Sequence, residues 1–186
     1  MKFTPRLLAL GAGIAIGLTS PGAFAALAIG DRAPDFSAQA ALGGNEFKFS
    51  LAEALKKGPV VLYFFPKAFT TGCTIEAHDF AEATPRFEAL GASVIGMSND
   101  DIETLKKFSV EACRNKFPVA ADAGAAVTKQ YDAQLWKRDI SDRISYLIAP
   151  DGTVNYVYAS MSPDKHVQYL IKALEALKSK GAPAPQ

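Results

Sequence analysis

Apolar positions in this chain fall into two rhythms. Val60–Phe65 (VVLYFF) is an unbroken run of β-branched and aromatic residues, and Ala92–Asn99 (ASVIGMSN) is nearly so. Continuous runs of this length predict strands buried on both faces. Between and after them the spacing changes to that of helices. From about Thr71 to Leu90, Ile75, Ala77, Phe80, Ala83 and Phe87 are inward candidates, with Pro85 expected to break or kink the helix. DDIETLKKFSVEAC (100–113) predicts an amphipathic helix with acidic residues in its first turn and Ile102, Leu105, Ser109 and Ala112 on one face, Cys113 adjoining it.

The flanking segments complete the plan. SLAEALKK (50–57) reads as a short helix with Ser50 as N-cap and Glu53 closing a capping box. Before it, only Glu46–Phe49 suggests a strand. FPVAAD (117–122) predicts a short strand and AGAAVTKQYDA (123–133) a helix. RISYLIAP and TVNYVYAS flank Asp151-Gly152, a hairpin signal. SPDKHVQYLIKALEALKSK (162–180) reads as a closing helix, capped by Ser162 or Asp164, with Val167, Leu170, Ile171, Leu174 and Leu177 inward. Strands and helices in this order predict an α/β fold with a mixed central sheet flanked by helices. Its loops gather at the carboxyl edge of the parallel strands, where sites collect.

The first 25 residues change the picture of where this domain works. Lys2 and Arg6 precede a short apolar stretch, Leu7–Leu18, and Ala23-Phe24-Ala25 offers a small-x-small cleavage site. This predicts a signal peptide over 1–25 and one domain over 26–186, with periplasmic or secreted localisation; an uncleaved N-terminal anchor is the other reading. Loss of Lys2 and Arg6 takes the formal net charge from +1 to −1. So little charge argues against nucleic acid or anionic membrane as the main partner. An exported protein meets oxidising surroundings, so its two cysteines, Cys73 and Cys113, are not assumed to stay reduced.

Cys73 lies in PKAFTTGCTIEAHDF (66–80), just where a buried strand ends and a helix opens. Unpaired backbone N–H groups and the helix dipole favour an anion there, and the thiolate is the reactive form of cysteine. Thr70 is placed to cap that turn or to bond the sulfur or a substrate oxygen. Gly72 allows close backbone approach, and Pro66 fixes the turn and limits water. On the residues alone, an inert, packed cysteine is an equal reading.

The arrangement Pro66-x-x-x-Thr70-x-x-Cys73 resembles the active-site signature of the peroxiredoxins, thiol peroxidases on a thioredoxin-like fold. VVLYFFPKAFTTGCTIEAHDF is most similar to the bacterioferritin-comigratory, or peroxiredoxin Q, branch, and the likeness extends from GDRAPDFS through KFPVAAD to RISYLIAPDGTV. It implies that Cys73 is the peroxidatic nucleophile, passing through a sulfenic acid, that Thr70 bonds the peroxide and that Pro66 shields the sulfenate. It also implies an arginine in the pocket, matched by Arg143, and an acidic group, matched by Glu76. No cofactor or metal is implied; the partners are a peroxide and a thioredoxin-like reductant protein. Phe69 near the mouth suggests that organic hydroperoxides enter as well as hydrogen peroxide.

The chain departs from the commonest pattern. His78 stands where many peroxiredoxin Q members carry a resolving cysteine, and it reads as an ordinary helix residue. The resemblance then implies that Cys113, on the following helix, resolves Cys73 as an intramolecular disulfide; an inert Cys113 and a permanent structural disulfide are the alternatives. Two other functions fit an exported chain of this class. A Sco-like copper chaperone needs Cys-x-x-x-Cys, and Ala77 occupies the second place; a non-catalytic binding module leaves Cys73 and its neighbours without a purpose. A glutathione-peroxidase reading would use Trp136, which is expected instead to be a packed aromatic.

Overall fold

The structure is a computed structural model, and it describes residues 26–136 and 138–181. The expected signal peptide, residues 1–25, lies outside the described residues.

Among the described residues, seven strands form one mixed sheet. In chain order the elements are β1 (Ser37–Leu42), β2 (Asn45–Ser50), α1 (Leu51–Leu55), β3 (Val60–Phe64), α2 (Thr71–Ala89), β4 (Ser93–Ser98), α3 (Ile102–Glu111), β5 (Val119–Ala121), a 3-10 turn at Ala123–Ala125, α4 (Ala126–Gln130), β6 (Ile144–Ile148), β7 (Val154–Ala159) and α5 (His166–Gly181). The strands lie in the order β2-β1-β5-β4-β3-β6-β7. Only the β3–β4 and β4–β5 pairs are parallel; the rest are antiparallel. The mixed α/β architecture is the one the pattern predicts.

The central strand explains the layering. Side chains alternate across a strand, so Val61, Tyr63 and Phe65 enter one apolar cluster and Val60, Leu62 and Phe64 the other. On the first face they meet Phe80 and Phe87 of α2, Leu105 and Phe108 of α3, and Leu170, Ile171 and Leu174 of α5. On the second they meet Leu51 of α1, Val127 of α4 and the aromatic ring of Tyr131. Covered on both sides, β3 has no use for polar residues, and all five of its residues are buried.

Several local expectations need correction. β1, SAQAAL, has none of the β-branched or aromatic residues that mark a strand; its pairing with β2 and β5 creates it. Ile75 does not face the core but is 43% exposed. Pro85 leaves α2 unbroken, since the helix runs through it to Ala89. Neither Ser162 nor Asp164 caps α5, which starts at His166 after a left-handed Lys165 with φ 72°. Trp136 is not packed; it is 87% exposed. Ser50 caps α1 as expected, accepting a hydrogen bond from Glu53 N at 3.4 Å, and Asp101 caps α3 by accepting from Thr104 N at 2.8 Å.

Gly96, in β4, has a specific duty. Tyr63 lies across it and stacks on Phe80 with ring centroids 4.3 Å apart, and a Cβ at position 96 would stand 2.8 Å from Tyr63 Cζ. Gly96→Ala must therefore displace a fully buried ring. The expected result is a loss of roughly 1–3 kcal/mol in urea unfolding; unchanged stability would show that the ring gives way freely.

Candidate active site

The site forms where β3 ends and α2 begins. The chain leaves Phe65, turns at half-buried Pro66 and reaches α2 through Lys67–Thr70. Asp100, just past β4, pins this turn. Its Oδ2 accepts from Ala68 N at 2.7 Å and from Ser98 Oγ at 2.9 Å, while Oδ1 pairs with Lys67 Nζ at 2.9 Å. Phe69 takes a left-handed conformation, φ 63°, and its half-exposed ring packs edge-on against Phe108 at 5.2 Å.

Cys73 sits in the first turn of α2 and is 1% exposed. Arg143, immediately before β6, brings its guanidinium to it, with Nη2 donating to Cys73 Sγ at 3.4 Å. The same guanidinium donates through Nε to the Met161 carbonyl at 3.0 Å and through Nη1 to Glu76 Oε2. Gly72 makes this approach possible, because a Cβ there would meet Arg143 Nη2 at 3.0 Å. Cys73, Glu76 and Arg143 are all buried.

Thr70 lies at the start of α2, and Cys113 just past the end of α3 rather than within it. Thr70 occupies the N-cap position of α2, and its carbonyl accepts from Thr74 N. Its hydroxyl makes no capping bond and does not reach the sulfur; it donates to the Lys67 carbonyl at 3.0 Å. Cys113 lies one residue past the C-cap of α3 and is fully buried, in the same apolar cluster as Cys73. Both cysteines are free thiols in this structure. Arg114 and Asn115, which follow Cys113, are both left-handed, with φ 50° and 58°. His78 is a half-buried helix residue.

Sequence reasoning missed His166, Ser145 and Asp100. His166, fully buried at the start of α5, places Nδ1 3.6 Å from Glu76 Oε1 and 2.8 Å from Ser145 Oγ, and Nε2 3.0 Å from the Ser160 carbonyl oxygen. The only sequence signal was a histidine opening an apolar helical stripe.

Charge in this dry pocket is strongly perturbed. Burial pushes Glu76 up to about 8, outweighing the attraction of Arg143 and adding to repulsion from Asp79. Burial works against the Arg143 charge, yet Glu76 and Cys73 overcome it and hold the guanidinium above its usual value. Burial pushes His166 down and the Cys113 thiol up. Chemically, the arrangement offers a sulfur nucleophile beside a fixed cation, closed off from bulk water.

A family profile described as the AhpC/TSA family matches residues 29–157. The chain belongs to this family. It is a thiol-dependent peroxidase of the peroxiredoxin Q type. It is similar to a chloroplastic peroxiredoxin Q of Oryza sativa subsp. japonica, 33% identical over 151 residues that cover 80% of this chain and 67% of that protein. A chloroplastic peroxiredoxin Q of Triticum aestivum is 31% identical over 176 residues, covering 93% of this chain and 75% of the relative. Among solved structures, the peroxidoxin BcpB of Mycobacterium tuberculosis superposes with a TM-score of 0.72 at 31% identity, covering 80% of this chain and 97% of that one. AhpC of the same organism, 22% identical, covers 86% of this chain and 98% of its own with a TM-score of 0.74, which extends the likeness of fold. The thioredoxin-like fold of this peroxiredoxin is thus shared with its relatives. The copper-chaperone and binding-module readings are not favoured.

The raised Glu76 carboxyl makes stability depend on pH in a defined direction. The unfolded chain releases this proton near its ordinary 4.5, and the folded chain keeps it up to about 8. The resulting stabilisation is full below 4.5 and is lost as pH rises through 8. Between pH 7 and 9 the wild type is expected to lose about 1 kcal/mol more than Glu76→Gln in urea titrations. Parallel losses in the two proteins would place the ionisation elsewhere.

Proposed function

We propose that this peroxiredoxin reduces hydrogen peroxide and organic hydroperoxides with Cys73 as nucleophile, Arg143 as its electrostatic partner and Cys113 as the resolving thiol. The single observation behind this reading is the Arg143 guanidinium donating to Cys73 Sγ at 3.4 Å in a buried pocket. A guanidinium stays charged at any working pH. Beside the sulfur it is a fixed positive charge, and it can turn a donor toward the peroxide oxygens as charge develops on them.

In the first step the Cys73 thiolate attacks one peroxide oxygen. The S–O bond forms as the O–O bond breaks, and the departing oxygen takes a proton to leave as water or an alcohol. The product is the Cys73 sulfenic acid. Pro66, half-buried at the turn before α2, is assigned the role of shielding the sulfenate. Thr70 is one backbone turn away; to bond the peroxide its hydroxyl must exchange the Lys67 carbonyl for the substrate. The half-exposed Phe69 offers an apolar flank for the carbon end of an organic hydroperoxide.

In the second step the Cys113 thiol condenses with the sulfenic acid, forming a disulfide and releasing water. Shared burial in one cluster supports this pairing. Buried Cys113 resists ionisation, so its segment must open before it acts as a thiolate. The left-handed pair Arg114 and Asn115 stores backbone strain that opening would relieve. An external dithiol protein of thioredoxin type then takes the disulfide back to two thiols and is itself oxidised to a disulfide. The signal-like N-terminus supports work in a periplasmic or extracellular space.

Cys73→Ser is expected to abolish peroxide consumption, and Arg143→Gln to lower kcat/KM by about 10²–10³. Retained turnover in Cys73→Ser would dismiss the assignment. Mass spectrometry after one equivalent of peroxide tests the second step. Loss of two hydrogens with a Cys73–Cys113 peptide is expected in the wild type; stable gain of one oxygen with Cys113 still alkylatable would mean a one-cysteine cycle.

A further inference from the structure

Cys73 and Arg143 do not account for all of the buried polar groups in the pocket. Glu76 gives one oxygen, Oε2, to Arg143, while Oε1 has no hydrogen-bond partner within the described residues. The ring atom facing it is His166 Nδ1, 3.6 Å away. The other ring nitrogen, Nε2, lies 3.0 Å from the Ser160 carbonyl, which only accepts, so Nε2 carries a hydrogen. Nδ1 is therefore the ring position whose proton can come and go. Were both Nδ1 and Oε1 bare, two lone pairs would face each other in a dry site, an arrangement that burial penalises. One proton between them removes the conflict, with the Ser145 hydroxyl, 2.8 Å from Nδ1, free to rotate as donor or acceptor.

We propose that His166 is a positioning residue which, together with Glu76, retains one proton and so leaves the Arg143 charge available to the Cys73 thiolate. The reasoning is a count of charges. When the pair holds its proton, as carboxylic acid beside neutral imidazole or carboxylate beside imidazolium, its net charge is zero. Arg143 is then balanced by the thiolate. When the pair has lost that proton, the Glu76 carboxylate already balances Arg143. A thiolate would leave the pocket with excess negative charge, and an uncompensated buried charge is costly. Cys73 then keeps its proton and loses its nucleophilicity.

The remaining titratable and charged neighbours decide which of the two partners holds the proton. They are Arg143 before β6, Cys73 and Asp79 on α2, Tyr63 on β3, and Tyr158 on β7, whose ring stands edge-on to His166 with centroids 4.7 Å apart. Asp79 works against a negative Glu76, as does burial; Arg143 and burial both disfavour a positive His166. The favoured form is thus a Glu76 carboxylic acid beside a neutral ring.

The inference rests on Cys73 as nucleophile, which Cys73→Ser decides independently. The test is a double-mutant cycle in reduced Cys113→Ser protein, following Cys73 thiolate absorbance in the far ultraviolet against pH, with folding checked by circular dichroism. His166→Leu is expected to raise the Cys73 ionisation midpoint by about one pH unit, a roughly tenfold loss of thiolate at neutral pH, with a matching fall in peroxide rate. His166→Gln, which can keep the bond to Ser160, is expected to do the same, and carries the reading if His166→Leu does not fold. In a Glu76→Gln background, where no carboxylate can compete for Arg143, neither change should move the midpoint. Equal shifts in both backgrounds would reduce His166 to a structural support and overturn the proposal, as would an unmoved midpoint in the wild-type background or a midpoint raised by Glu76→Gln alone.

Discussion

A guanidinium held out of water is the constraint around which this protein is arranged. Arg143 is buried, and a cation in that position must find fixed acceptors close by. Three are supplied from two distant parts of the chain: the Cys73 sulfur and the Glu76 carboxyl on α2, and the Met161 carbonyl after β7. To bring them together, β6 must lie beside β3, α2 must start directly above the end of β3, and α5 must fold back over β7. The sheet order and the two apolar clusters meet those demands. The hydrophobic effect assembles the layers, and the small polar site takes its geometry from them.

The support around the sulfur is as specific as the contact itself. Asp100, anchored by Ser98 of β4, holds the turn before α2 with one hydrogen bond, from Ala68 N, and an ion pair to Lys67. Ser141 donates to the Phe65 carbonyl at 2.8 Å, tying the segment before Arg143 to the end of β3. Gly72 leaves the space that the guanidinium crosses. These groups do no chemistry, but each removes a freedom that would let the sulfur and the cation drift apart.

What could be read in advance was what depends on neighbours in sequence. The buried run of β3, the helical stripe of α5, the Asp151-Gly152 turn and the placement of Cys73 at a strand-to-helix junction all follow from local pattern. The match to Arg143 and Glu76 came from a family signature, not from periodicity. What stayed hidden depends on contacts between distant segments. β1 is a strand only because β2 and β5 flank it, and His166 becomes part of the site only once α5 closes over β6 and β7. Ile75 misled because an apolar residue at helical spacing ordinarily faces inward, whereas here the first turn of α2 turns that side to solvent. Pro85 misled for a related reason: packing of Phe80 and Phe87 on β3 outweighs the one hydrogen bond a proline removes.

The burial of Cys73 bears on which molecules it can meet. With 1% of its surface exposed, the sulfur as it stands in this structure is beyond reach of a protein dithiol. On the proposed assignment of Cys73, oxidant and reductant are thereby sorted by size, and the reductant waits for an opened form of the chain.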